Sequence, residues 1–143
     1  MPKLRMYSDS WGNFSALAQE AISGGQFVKA MSVTAPTATQ VPSDVLEVMQ
    51  CNASGDEKVC CGIALDNAAS GERVTVATRG LIKTYALDGI VAGRACQAPA
   101  DAVEGVNTLD VVFLGSAVPV GQALHDAVSG EMVFVNLNIG GGV

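Results

Sequence analysis

The chain has 143 residues and a formal net charge of −6, with 8 Lys and Arg against 14 Asp and Glu; apolar residues make up 49% of it and aromatic ones only 5%. That length suits one domain or two small fused halves, with a core that needs no disulfides. So few, scattered cations on an acidic chain argue against a nucleic-acid partner, which requires a positive field, and no apolar stretch is long enough to span a membrane.

Residues 1–20 form a distinct segment. Lys3 and Arg5 precede MYSDSWGNF, which is not the apolar centre of a secretion signal, so synthesis in a cytosol is the expectation. SDSWGNFSALAQEA shows no strand alternation, and Ser15 is placed to cap a short helical turn through Ala21. Tyr7, Trp11 and Phe14 all fall here. The segment either folds back on its own core or serves as an arm that docks on a neighbour. The second is the expectation, with Tyr7, Trp11 and Phe14 as its anchors.

From Gly25 the pattern turns to β. QFVKAMSV reads as a strand, and TAPTATQVPSD as a connection in which Pro36 and Pro42 argue against a central strand. VLEVMQCN alternates weakly, ASGDEK is a polar turn, and VCCGIAL is the short apolar run of a buried strand. RVTVATRGLIKTYA alternates plainly, with Val74 and Val76 inward and Gly80 as a bulge that hands the inner face to Leu81 or Ile82. GIVAGRACQA, the loop PADAVEGVNT, LDVVFLGSAV and PVGQAL follow. MVFVNLNI then places Val133, Val135, Leu137 and Ile139 on one face before the GGGV tail. Short strands, frequent turns and no sustained helical period define an all-β barrel or sandwich.

The chain repeats itself. GIALDNAASGERVTV (residues 62–76) and GQALHDAVSGEMVFV (residues 121–135) align without a gap and are identical at nine of fifteen positions. Upstream, AISGGQFVKA matches GIVAGRACQA at Ile22/Ile90, Gly25/Gly93 and Ala30/Ala98. Self-similarity of this kind marks a duplicated structural unit. The shared Ser-Gly-Glu elements, Ser70-Gly71-Glu72 and Ser129-Gly130-Glu131, read as turns. Their glycines supply a positive φ, and their glutamates open the exposed side of the next strand.

Nothing nominates a reaction centre. His125 has no Ser or Cys at a motif spacing, and its counterpart in the first copy is Asp66. Cys51, Cys60, Cys61 and Cys96 lack the paired spacing of a zinc site and read as reduced, buried thiols. Asp101, Glu104 and Asp110 read as solvating loop carboxylates. Neither GGGV nor Gly24-Gly25 has the context of a phosphate loop. No catalytic residue, cofactor or metal is therefore expected.

AISGGQFVKA, CCGIALDNAASGERVTVATRGLIK and GQALHDAVSGEMVFVNL together resemble the capsid decoration, or cement, proteins of tailed phages and related viruses. Gly71, Glu72, Val74, Val76 and Gly80 match that family's G-E-x-V-x-V-x-x-x-G element, while Gln26 stands where Asp is usual. The resemblance covers residues 21–137, and its motifs mark turns and strands rather than chemistry. It implies a small β-barrel or sandwich, β-tulip-like, with residues 21–143 as a single β domain behind an arm of residues 1–20. The pseudo-repeated units then run from 21 to 86 and from 87 to 139. It further implies a homotrimer on the outer surface of an icosahedral virion, with the major capsid protein as partner and capsid stabilisation as function. Some members add a strand from an N-terminal arm to a neighbour. The I-x-x-G and S-G-E-x-V pattern also resembles β-clip domains of the SAF type, which would imply a ligand- or glycan-binding module. A concave polar patch would favour that alternative, and a flat apolar face the first reading.

Overall fold

The computed structural model describes residues 12–30, 47–109 and 118–139. Tyr7, Trp11, the Pro36–Pro42 connection, most of LDVVFLGSAV with Asp110, and the GGGV tail lie outside them. The described strands are β1 (Asn13–Ala18), β2 (Phe27–Ala30), β3 (Glu47–Gln50), β4 (Cys60–Ala64), β5 (Arg73–Ala77), β6 (Arg79–Tyr85), β7 (Ala95–Gln97), β8 (Asn107–Thr108), β9 (Pro119–Ala123) and β10 (Met132–Asn138), with a 3₁₀ turn at Asp56–Lys58.

The fold is all-β, as the turn spacing predicted. The first five strands close into a barrel in the order β1-β3-β2-β4-β5, and the last five form a sheet in the order β6-β10-β9-β7-β8. The second sheet follows the same circuit. A parallel bridge from Ala86 to Val106 brings its two ends together, just as β1 meets β3 at Ala18 and Val48. Registers coincide as well: Ala64 faces Val76 in β4–β5, and Ala123 faces Val135 in β9–β10.

This pairing corrects three expectations. No helical turn follows Ser15: β1 is a barrel strand, antiparallel to β5 from Asn13↔Ala77 to Leu17↔Arg73. Its inward residues are Phe14, Ala16 and Ala18, so the alternation is carried by alanines, which favour helices when read locally. Phe14 is half-buried against the barrel interior and therefore does not sit on a free arm. The unit boundary also moves. β1 is the counterpart of β6, with Phe14↔Val76 matching Ile82↔Val135, so the first unit includes β1 and the second opens with β6, just after Thr78. Finally, Gly80 is no bulge. The β6–β10 ladder runs unbroken from Arg79↔Asn138 to Tyr85↔Met132, and the chain changes sheets at Thr78, whose hydroxyl donates to the Gly12 carbonyl at 3.1 Å.

Packing follows the period of two. One buried cluster fills the first barrel: Ala16, Ala18, Ile22, Val28, Val48, Ala64, Ala68, Val74 and Val76. The matching positions of the second unit, among them Ile82, Ala86, Ile90, Val106, Ala123, Ala127, Val133 and Val135, are likewise buried. That second cluster is continuous with Phe27, Ile63, Leu65 and Ala77, the outward residues of the first barrel's β2, β4 and β5 wall. The wall is thus buried on both faces from Gly62 to Leu65, which is why that run is apolar.

Candidate interaction surface

Each unit is pinned by the same turn, built from the repeated residues. Gly71 and Gly130 adopt φ +87° and +93°, a region that strains any residue with a Cβ. Their N–H groups donate to the carbonyls of Ala18 and Ala86, each at 2.8 Å. The Ser70 and Ser129 hydroxyls donate to the Gln19 and Leu87 carbonyls, each at 3.1 Å. Glu72 and Glu131 do not open the following strand. Their carboxylates fold back to accept the N–H of Ala69 at 2.7 Å and of Val128 at 3.0 Å. Asn67 and Asp126 each accept a backbone N–H, from Gly24 and Ala92, at 2.8 Å. Each of these side chains thus ties one polar atom to the backbone of its own unit, which makes the motif a device for holding the turn.

The symmetry ends at the outer faces. Leu65 is 4% exposed and its counterpart Leu124 is 49% exposed. The first unit's turn is covered by the second unit's β7–β8 loop: Gln26 Nε2 donates to the Ala102 carbonyl at 3.1 Å, and the Glu104 carboxyl lies where a side chain on Gly25 would go. The equivalent Gly93 has open space around it. Val91, Val128 and Phe134 are exposed in the second unit, and so in the first unit are Ser23 and Ala69, the counterparts of Val91 and Val128. Val91 and Val128 border a shallow, open and mostly apolar depression that also touches Ile90, Ala127 and Asp126.

His125 belongs to this face. Its Nε2 accepts the Phe134 N–H at 3.1 Å, its Nδ1 lies 2.9 Å from the Asp126 carbonyl, and its ring meets Phe134 edge-on with centroids 5.9 Å apart. The Lys83 ammonium sits over Phe134, 5.4 Å from the ring centre. These contacts fix a flat aromatic patch rather than a nucleophile and its base. Sequence reasoning found no Ser or Cys at a motif spacing from His125 and did not single out Leu124, Val128 or Phe134. The available signal was substitution within the repeat, where Asp66 becomes His125 and Thr75 becomes Phe134.

The remaining candidates are structural. Contact with Cys51 and burial push the Cys60 thiol well above its ordinary value, burial raises Cys61, and burial pushes Cys96 up to about 11. Such thiols carry almost no thiolate at neutral pH. Asp56 is nearly buried. Burial alone would raise its carboxyl, but Lys29 Nζ at 2.8 Å and the N–H groups of Asn52 and Ala53 outweigh that and hold it below its ordinary value. Among the described residues no group of three or more His, Cys, Asp or Glu is placed to hold a metal ion.

The geometry defines an all-β protein in which a closed five-stranded barrel is followed by a five-stranded sheet of the same circuit, with exposed apolar residues on the second unit. Among solved structures it is similar to the N base of the head fiber gp8.5 of bacteriophage phi29, with a TM-score of 0.58 at 15% identity, over 88% of this chain and 92% of that one. At that identity the likeness is one of fold. No protein-family model and no curated protein sequence matches the chain.

Proposed function

We infer that this chain is a structural component of a phage head, a decoration or cement protein that binds the outer capsid surface and stabilises the major capsid protein lattice. The observation that carries the reading is the whole-chain likeness to a phage head fiber base. The duplicated turns agree with it, since their side chains hold the backbone of each unit in the same way. A clamp of this kind needs contact area rather than a pocket, and several weak contacts on one rigid shell add by avidity. Its partners are the major capsid protein and further copies of the chain as a homotrimer. Tyr7 and Trp11 act as arm anchors, while Phe14 belongs to the barrel.

The test is co-sedimentation with heads assembled from the major capsid protein of the same virus. The full chain pellets with the heads. A variant lacking residues 1–11, which leaves β1 and the Gly12–Thr78 hydrogen bond in place, stays folded and remains in the supernatant. Truncated protein that pellets normally refutes the arm, and full-length protein that never pellets refutes the function.

A further inference from the structure

Cys51 and Cys60 stand at the two ends of one loop. Cys51 follows β3, and its N–H donates to the Phe27 carbonyl at 2.9 Å, while Cys60 opens β4 opposite Lys29. Both side chains are buried in the cluster that also holds Phe27. The loop between them folds tightly. The Asp56 carboxylate accepts the N–H groups of Asn52 and Ala53 and the Lys29 ammonium. The Cys51 sulfur lies 3.9 Å from the Asp56 carbonyl, which also accepts the Val59 N–H at 3.0 Å. That sets the Cys51 sulfur against the backbone leading directly into Cys60, and the two thiols touch. The fold does not demand thiols here. In the second unit the matching positions are Leu109, whose N–H donates to the Ala95 carbonyl at 2.9 Å, and Pro119, opposite Gln97. Neither remaining cysteine competes. Cys61 packs against the first barrel's cluster on the other side of β4, and Cys96 lies in β7 with its thiol toward the Arg94 carbonyl.

We propose that Cys51 and Cys60 are a dithiol pair that a small-molecule disulfide, such as oxidised glutathione, converts into a staple across residues 52–59. One protein thiolate attacks a sulfur of the small disulfide, so that a mixed disulfide forms and one glutathione thiolate leaves. The second protein thiolate then attacks the protein sulfur of that mixed bond. The Cys51–Cys60 bond forms and the second glutathione leaves. The protein is oxidised by two electrons, the small disulfide is reduced to two thiols, and the protons lost by the cysteines end on those thiols. The staple acts on more than its own loop. The Glu57 carbonyl accepts the Val118 N–H at 2.9 Å, so the same loop meets the entry to β9 in the second unit. Contact with Cys51 and burial hold the Cys60 thiol well above its ordinary value. Exchange in the folded protein is therefore slow at neutral pH, and the pair closes most readily during folding. The inference is independent of capsid binding.

The experiment refolds the full chain from urea in a glutathione buffer, oxidising or reducing, and then alkylates the free thiols for intact mass and peptide mapping. Trypsin cuts after Lys58, between the two cysteines. In the oxidising buffer the wild type and the control Cys61→Ala lose two alkylatable thiols, and the peptides carrying Cys51 and Cys60 are recovered joined. The melting temperature rises by about 5–10 °C, the effect expected of closing a short loop. Dithiothreitol reverses both changes. Cys51→Ala forms no internal disulfide, and its melting temperature does not rise. A wild type that keeps all four cysteines alkylatable overturns the inference, as does a bridge that uses Cys61 or Cys96. A Cys51–Cys60 bridge that lowers the melting temperature overturns the staple, because the bond would then strain the loop instead of securing it.

Discussion

Leu65 and Leu124 are the same residue at the same place in two copies of one hairpin, so truncating each to alanine isolates the effect of the contact between units. Leu65 is 4% exposed and packs in the cluster that joins the two units. Removing its branched end forfeits the transfer free energy of the lost carbons and leaves a cavity, together about 3 kcal/mol within the usual range for buried leucine. Leu124 is 49% exposed. Half the transfer contribution is already forfeited in the native state and water fills the space, leaving about 1 kcal/mol. Urea unfolding at low protein concentration measures both, with an unchanged m-value as evidence that the same transition is observed. Equal costs would refute the reasoning, since they would mean that the second unit does not cover the wall of the first.

Three further predictions concern the scaffold. Thr84 is fully buried at the position where the first unit has Ala16, and its hydroxyl has no hydrogen-bond partner among the described residues. Thr84→Val is therefore expected to stabilise the protein by about 1 kcal/mol in the same urea assay, against the usual sign for a core substitution. Gly121 lies in β9 where a Cβ would stand 2.8 Å from Val135 Cγ1 and closer still to the Asn136 carbonyl oxygen. Gly121→Ala should cost about 1–3 kcal/mol by overpacking, and a neutral result would refute the close approach of β9 and β10. Because the Asp56 carboxyl is held below its ordinary value, its contribution is fully present above the unfolded value of about 3.9 and is lost as pH falls through the lower folded value. The melting temperature of Asp56→Asn should accordingly lie below that of the wild type at neutral pH, with the gap closing under strong acid.

The sequence made the duplicated hairpins legible because their demands are local. A positive φ requires glycine, a folded-back carboxylate requires glutamate, and Gly62 and Gly121 must leave room for Val76 and Val135. Those requirements recur as identities. β1 was hidden for the opposite reason. Its inward positions after Phe14 are Ala16 and Ala18, while the half-buried Leu17 between them blurs the alternation. Without β1 as the counterpart of β6, the unit boundary falls too late and Phe14 is mistaken for part of an arm. The contrast between Leu65 and Leu124 had no signal at the residue itself, because identical side chains differ only in what another part of the chain places over them.

Neighbouring substitutions show how the two copies of the wall diverged. In the first unit the outward positions are Phe27, Ile63 and Ala77, all buried, the apolar composition of a surface covered for the life of the fold. At the matching positions of the second unit stand Ala95, Gln122 and Asn136, with the Gln122 side chain donating to the Gly93 carbonyl at 3.0 Å. Leucine is kept at 124 and phenylalanine stands at 134. The polar groups of Gln122 and Asn136 stay hydrated in the folded chain, so the second wall can remain exposed where the first, covered by the other unit, had to become apolar.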